Sequence, residues 1–433
     1  MQSLIVNSTK IYFCLVFMLK TLFADAQNIN SSSMVYKDET FKESIQSVLL
    51  YNKQWELSRP LMVIDNNDTL KLSFDDINNN VKNYYYKIIH CNSEWESSNL
   101  FYSDYMSGFE ENEVNDYKFS INTLIAYVHY NLFIPNEQVQ ILKSGNYIIQ
   151  VYEDNNPENI VFTRRFYCVE NKVHVNAICK QATDINERNT SHEIDFKIET
   201  GSLNINNPYN DIKVTISQNG RPDGLITNLK PQFVNTNELI YEYDEGNLFS
   251  ANNEFRNFDM KSIRYQSENI GGIQFIEPLY HVGIKEDLAK THAQYFFEND
   301  INGKYLVKIT EGDDSEVEAD YVMVHFRLPY EIPFVTGNIY LYGALTDWQM
   351  NAKNRMQYNF ESHAYEISLL LKQGYYNYAY AYLENGTDFA DLSLIEGSHY
   401  ETENEYHILV YYKDISDRYE RLIGFQIVNS NIR

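Results

Sequence analysis

Few residues in this chain stand at spacings that could do chemistry. His90 and Cys91 set an imidazole beside a thiol, the pairing of a base with a nucleophile. They close the run Tyr84-Tyr-Tyr-Lys-Ile-Ile-His90, which reads as a strand, and adjacent residues on a strand point to opposite faces. The two cannot act on each other, and a packed β pair is the better reading. Glu298-Asn-Asp-Ile-Asn-Gly303 matches the middle of a calcium loop, with Asp300, Asn302 and Gly303 at ligand and turn positions. Its twelfth position is Ile309, where a bidentate glutamate is required, so an Asp-x-Asn-Gly hairpin turn fits better. Tyr376, Tyr378, Tyr380 and Tyr382 alternate along one strand face, and Trp348 sits in an Asp-Trp turn nearby in sequence. Such rings stack on sugars, form protein interfaces, or fill a core with their hydroxyls reaching water at the edge. The sequence contains no nucleophile elbow, phosphate loop, dinucleotide fingerprint or His-Glu-x-x-His. It calls for no catalytic residue, metal or cofactor.

The elements that would hold these residues are strands. Leu70, Leu72 and Phe74 alternate with Thr69, Lys71 and Ser73, the two-residue period of a half-buried strand. Tyr84 to His90, Tyr147 to Tyr152 and Thr163 to Val169 follow, with an irregular insertion from Glu94 to Asp116 that should hold short helical turns. Lys213-Val-Thr-Ile-Ser217 alternates and runs into Gln218-Asn-Gly-Arg221, a strong hairpin signal because Asn and Gly both tolerate positive φ. Later strands are expected at Leu239–Tyr243, Asp320–Phe326, Gly337–Gly343 and Leu369–Tyr382. Long apolar patterns at helical spacing are scarce. The expected fold is all-β: about three tandem β-sandwiches at 27–170, 171–329 and 330–433, immunoglobulin-like or early-set-like. Within the second, Arg256 is expected to pair with Glu254 or Asp259, or to touch a partner.

Residues 1–26 read as an export signal. Lys10 precedes the apolar run Ile11–Leu19, and Ala24-Asp-Ala26 supplies the small residues for cleavage before Gln27. Lys20 cuts the run short of the roughly 20 apolar residues of a spanning helix. The formal charge is −25, spread along the chain. That disfavours nucleic acid and anionic headgroups as partners. After the signal, Cys91, Cys168 and Cys179 remain, an odd number. Buried, inert thiols are the main reading, with a Cys168–Cys179 bridge as the alternative.

Several segments, in this order, carry a family resemblance. They include Leu72-Ser-Phe-Asp-Asp76, Asn83 to Ser98, Tyr105-Met-Ser-Gly-Phe109, Ile134-Pro-Asn-Glu137, Asn253-Glu-Phe-Arg-Asn-Phe-Asp259, Leu371-Lys-Gln-Gly-Tyr375 and Glu396 to Tyr406. As a set they resemble the plug proteins of the bacterial type IX secretion system. The resemblance implies a non-enzymatic periplasmic protein. It would occupy the periplasmic mouth of a large outer-membrane β-barrel translocon and block leakage when no substrate or carrier is engaged. It assigns no contact residue here. The last unit also resembles early-set domains related to carbohydrate-binding modules. That leaves an alternative: a periplasmic carbohydrate-binding protein using Trp348, Tyr376, Tyr378, Tyr380 and Tyr382.

Overall fold

A computed structural model describes residues 36–430. The expected signal at 1–26 and its cleavage point lie outside the described residues. Within them the protein is all-β, and no helix exceeds four residues. No helix there is long and apolar enough to cross a membrane.

The alternating segments pair into sheets that face one another in twos. In the first pair, one sheet runs Glu39–Thr40, Ile160–Val169, Gly145–Glu153, Tyr84–Cys91 and Asn112–Glu113. The facing sheet runs Ile45–Asn52, Leu70–Asp76, Val128–Ile134 and Asp116–Phe119. Leu70, Leu72 and Phe74 meet Tyr84, Tyr86 and Ile88 in the shared core, as the two-residue period requires. Phe74 stacks on Tyr130 with centroids 4.9 Å apart and takes Tyr84 edge-on at 5.2 Å.

The other two cores do not follow chain order. One joins His174–Gln181, Ser191–Glu199 and Glu238–Tyr241 to a sheet made of Ile212–Gln218, Glu405–Tyr412 and Arg421–Asn429. The stretch between lies around a core of its own, from Phe258 to Ile395. It is enclosed by Gly374–Glu384 with its neighbours and by the sheet Ile270–Ile276, Leu279–Ile284, Tyr321–Pro329, Ala364–Lys372 and Gln357–Asn359. Pairing therefore crosses the boundary expected at 329/330 in both sandwiches. Strand period reports which face is buried, not which distant strand completes the sheet.

The same limit explains the Asn-Gly turn. Asn219 and Gly220 both have positive φ, and Arg221 N donates to Gln218 O at 3.0 Å, so the tight turn forms. The returning chain makes only the bridge Ile216–Ile226. Ile212–Gln218 pairs along its whole length with Glu405–Tyr412 instead. The Asp300 turn is likewise no hairpin, because no strand leads into it: the preceding strand ends at Ile284 and the next is Tyr305–Val307.

Candidate functional site

The tyrosine stripe lies on Gly374–Glu384, which pairs with three strands. Tyr376, Tyr378 and Tyr380 are 1%, 1% and 0% exposed. Tyr376 stacks between Phe258 at 5.2 Å and Tyr305 at 5.1 Å. Their hydroxyls do not reach edge water as expected. Tyr376 donates to Lys372 O at 2.5 Å, and Tyr378 and Tyr380 both donate to Asp287 Oδ2 at 2.7 Å. These three form a core face, which corrects their reading as a sugar or protein surface. Tyr382, half-buried, shares a hydrogen bond with Thr336 Oγ1 at 2.8 Å. Trp348, half-buried, packs edge-on against Tyr342 at 5.3 Å and Phe255 at 6.0 Å.

Arg256 pairs with neither Glu254 nor Asp259. Its guanidinium donates to both carboxylate oxygens of Glu396 at 3.0 Å, to Asp287 at 2.9 Å and to Leu288 O at 2.7 Å. With Asp287 also holding the two tyrosines, this is an internal clamp on the third core. Asp300 accepts from Phe255 N at 2.5 Å and Asn302 N at 2.8 Å, pinning its turn. Burial pushes its carboxyl up to about 7, against those hydrogen bonds. No group of three or more metal-binding side chains occurs among the described residues.

His90 and Cys91 are both buried. His90 Nε2 lies 3.0 Å from Ser144 O, and burial holds its pKa down at about 4. Cys91, Cys168 and Cys179 are free thiols, so the alternative bridge is not formed. Burial pushes each up to about 12, which suppresses the reactive thiolate.

A connected group of charged side chains lies where the first sandwich meets the third. Asp75 points away from its own core and into this seam. It accepts from Lys372 Nζ at 2.6 Å, from Tyr321 OH at 2.6 Å, and lies 2.6 Å from His129 Nδ1. His129 Nε2 stands 3.5 Å from Glu316 Oε2, long for a hydrogen bond, so it acts there mainly as a charge. Glu316 also pairs with Lys71. Burial opposes charge on His129, yet Asp75 and Glu316 outweigh it and raise the imidazole above its ordinary value. Burial also opposes charge on Asp75, where Lys372 and His129 prevail and lower it. Lys372 is itself lowered by burial. Lys372 Nζ is held between Asp75 Oδ2 at 2.6 Å and Glu316 O at 2.7 Å, and Tyr321 OH donates to Asp75, so these groups are committed to one another across the seam. The geometry is that of an ionic lock between sandwiches. Sequence reading missed it because the outward face of a strand ordinarily meets water. The acidic pair Asp75-Asp76 ending an apolar strand was the one available signal.

The insertion of the first sandwich carries two exposed aromatic side chains. Its short helix, Tyr102–Tyr105, buries Tyr105, and Tyr102 OH donates to Phe109 O at 2.5 Å. Asn112 Nδ2 donates to the same carbonyl at 2.8 Å. The braced loop leaves Phe101 and Phe109 74% and 75% exposed.

Comparison with known proteins bears on the whole chain. The type 9 secretion system plug protein first-domain family matches residues 45–170, nearly all of the first sandwich. A crystal structure of a hypothetical protein from Parabacteroides merdae ATCC 43184 is 33% identical. The match covers 92% of this chain and 100% of that one, with a TM-score of 0.89. Dimeric latent PorU from Porphyromonas gingivalis also matches, at 8% identity over 89% of this chain and 34% of that one. Its TM-score of 0.14 carries no argument for the fold. No curated protein matches. Family and fold together suggest a non-catalytic, secretion-associated protein located in the periplasm near the outer membrane. Through its first domain, residues 45–170, the chain belongs to the type IX secretion system plug protein family.

Proposed function

We propose that this protein is a non-enzymatic plug that sits at the periplasmic mouth of the type IX outer-membrane translocon and closes it when no substrate or carrier is engaged. The observation that carries the reading is the family match across residues 45–170. Physical features support it. Steric closure needs a broad, stiff body rather than a reactive cleft, and three sandwiches joined by buried contacts supply one. Release needs a reversible interface with a few aromatic anchors within a polar rim. Phe101 and Phe109 are suited to that part, because their loop is braced before any partner arrives. The acidic balance, with 60 Asp and Glu against 35 Lys and Arg, keeps the free protein soluble and off anionic lipid.

The test is an affinity pull-down of the tagged protein from gently solubilised outer membranes, with partners identified by mass spectrometry. A very large β-barrel should be recovered, and a Phe101→Ser/Phe109→Ser variant of unchanged circular dichroism should recover less. A tagged protein found entirely as a free soluble pool would overturn the proposal.

A further inference from the structure

A cleft of about 210 Å³ opens where all three sandwiches meet. Five cations line it: Arg59, Arg164, Arg165, Arg221 and Lys304. Three of these five are matched by a carboxylate. Arg164 pairs with Asp347 at 2.8 Å, Arg221 with Asp223 at 2.8 Å and Lys304 with Glu405 at 3.5 Å. Among the described residues no carboxylate oxygen lies within 4.0 Å of the guanidinium of Arg59 or of Arg165.

The direct acceptors of Arg59 are neutral, and one of them, the His407 ring, meets the Glu405 carboxylate through its other nitrogen, Nε2. Arg59 donates to Tyr167 OH at 2.8 Å, to Ser217 Oγ at 3.2 Å and to His407 Nδ1. Burial, with Arg59 beside it, holds His407 down at about 4, so this ring is a neutral acceptor near pH 7. The guanidinium plane is fixed as well. Arg59 lies 4.5 Å from the Tyr167 ring centroid, Tyr167 meets Trp95 edge-on at 5.3 Å, and Arg165 lies 4.2 Å from Trp95. This ladder of two cations and two rings sets planar, preorganised donors at the cleft, a form that suits a carboxylate. The same wall includes Pro60, Leu225, Tyr305 and Trp348, which suit an apolar body. Asp38, Glu56 and Asp347 also line it, and would oppose a doubly charged group such as a phosphate about twice as strongly as a single carboxylate.

We infer that this junction cleft binds a singly charged carboxylate carried on an apolar or aromatic body, with Arg59 as its anchor. The carboxylate belongs either to the C-terminus of a peptide or to a free organic acid. The inference does not depend on the plug reading.

Titration calorimetry on the full chain at pH 7 and low salt tests it. The probes are a five-residue peptide ending in phenylalanine, as free acid and as amide, and phenylacetate. The free-acid peptide should bind, with the amide at least about tenfold weaker, as expected for losing a charge-assisted contact. Phenylacetate binding as tightly as the peptide assigns the free acid as the source; binding of the peptide alone assigns a chain terminus. Arg59→Gln should weaken the free-acid probe by about tenfold or more, and Arg59→Lys by less. The inference is overturned if no probe binds at millimolar concentration, if acid and amide bind alike, or if folded Arg59→Gln binds as the parent does. The acid–amide comparison uses the unaltered chain and so decides the question even if Arg59→Gln does not fold.

Discussion

The first sandwich touches its two neighbours in opposite ways. Against the third it uses charge: Asp75, His129 and Lys71 meet Lys372, Glu316 and Tyr321. Against the second it uses oil: Leu61, Val63, Tyr167 and Val169 pack on Leu409, Tyr411, Leu422 and Phe425. The polar contacts of the second seam include Tyr411 OH donating to Asn146 Oδ1 at 2.8 Å and Glu170 N donating to Leu422 O at 2.9 Å. Its ion pairs, Lys213–Glu94 at 3.2 Å, Arg418–Asp104 at 3.3 Å and Arg421–Glu170 at 3.7 Å, flank the apolar patch with side chains more exposed than those of Asp75 and Lys372. The two seams share the task of fixing the sandwiches but differ in what disturbs them. Apolar contact is non-directional and largely indifferent to pH. A buried ion group is costly to desolvate, gains little net stability, and fails badly when one partner is missing.

The sharpest way to break this contrast is Lys372→Met. Lys372 is 1% exposed, so the change leaves the Asp75 charge buried without its cation. A loss of about 3–5 kcal/mol is expected in denaturant unfolding. In the apolar seam, Leu409→Ala opens a cavity at a buried position and should cost about 2–5 kcal/mol. That cost should hold steady from pH 6.5 to 9, whereas a clear drift with pH would couple the apolar patch to the ion pairs that flank it.

His129 sharpens the contrast through pH. Its folded pKa is raised above the ordinary 6.5. The stability it contributes is therefore fully present below 6.5 and is lost as pH rises through the raised value. Asp75 and Glu316 are both depressed, so their contribution is lost only on acidification, as pH falls through their folded values. Lys71 pairs with Glu316 and Lys372 with Asp75, the two carboxylates that face His129. Thermal midpoints of the parent minus those of His129→Gln should thus shrink as pH rises above 6.5. A constant difference would show the ring to be neutral throughout. The smallest effect should come from the rim. Lys118 and Asp314 pair at 3.2 Å with both side chains exposed, so Lys118→Ala should cost less than about 1 kcal/mol.

Much of the strand pattern was legible because burial on one face leaves a period of two. Leu70, Leu72 and Phe74, and Tyr84, Tyr86 and Ile88, announce their inward faces directly. The Asn219-Gly220 turn was legible for the same local reason, since its backbone needs residues that tolerate positive φ. The partner of the strand before it was not, because Glu405–Tyr412 lies almost two hundred positions away. The seam residues were illegible for a related reason. Asp75, His129 and Lys372 occupy outward positions that a lone sandwich would give to water. The tyrosines of Gly374–Glu384 showed their shared face but not what covers it.

The sequence by itself determined the all-β class, the inert placing of His90 and Cys91, the broken calcium pattern, and the family through its ordered segments. These are local matters, set by side-chain period, turn chemistry and residue identity. Only the tertiary structure decided that the second sandwich is completed by the chain's last strands. It alone turned the tyrosine stripe into a core, gave Arg256 to Glu396 and Asp287, and left Arg59 at a cleft with no carboxylate of the described residues in direct contact with its guanidinium. Each depends on pairing between segments far apart in the chain, and no local preference encodes which distant surface will arrive.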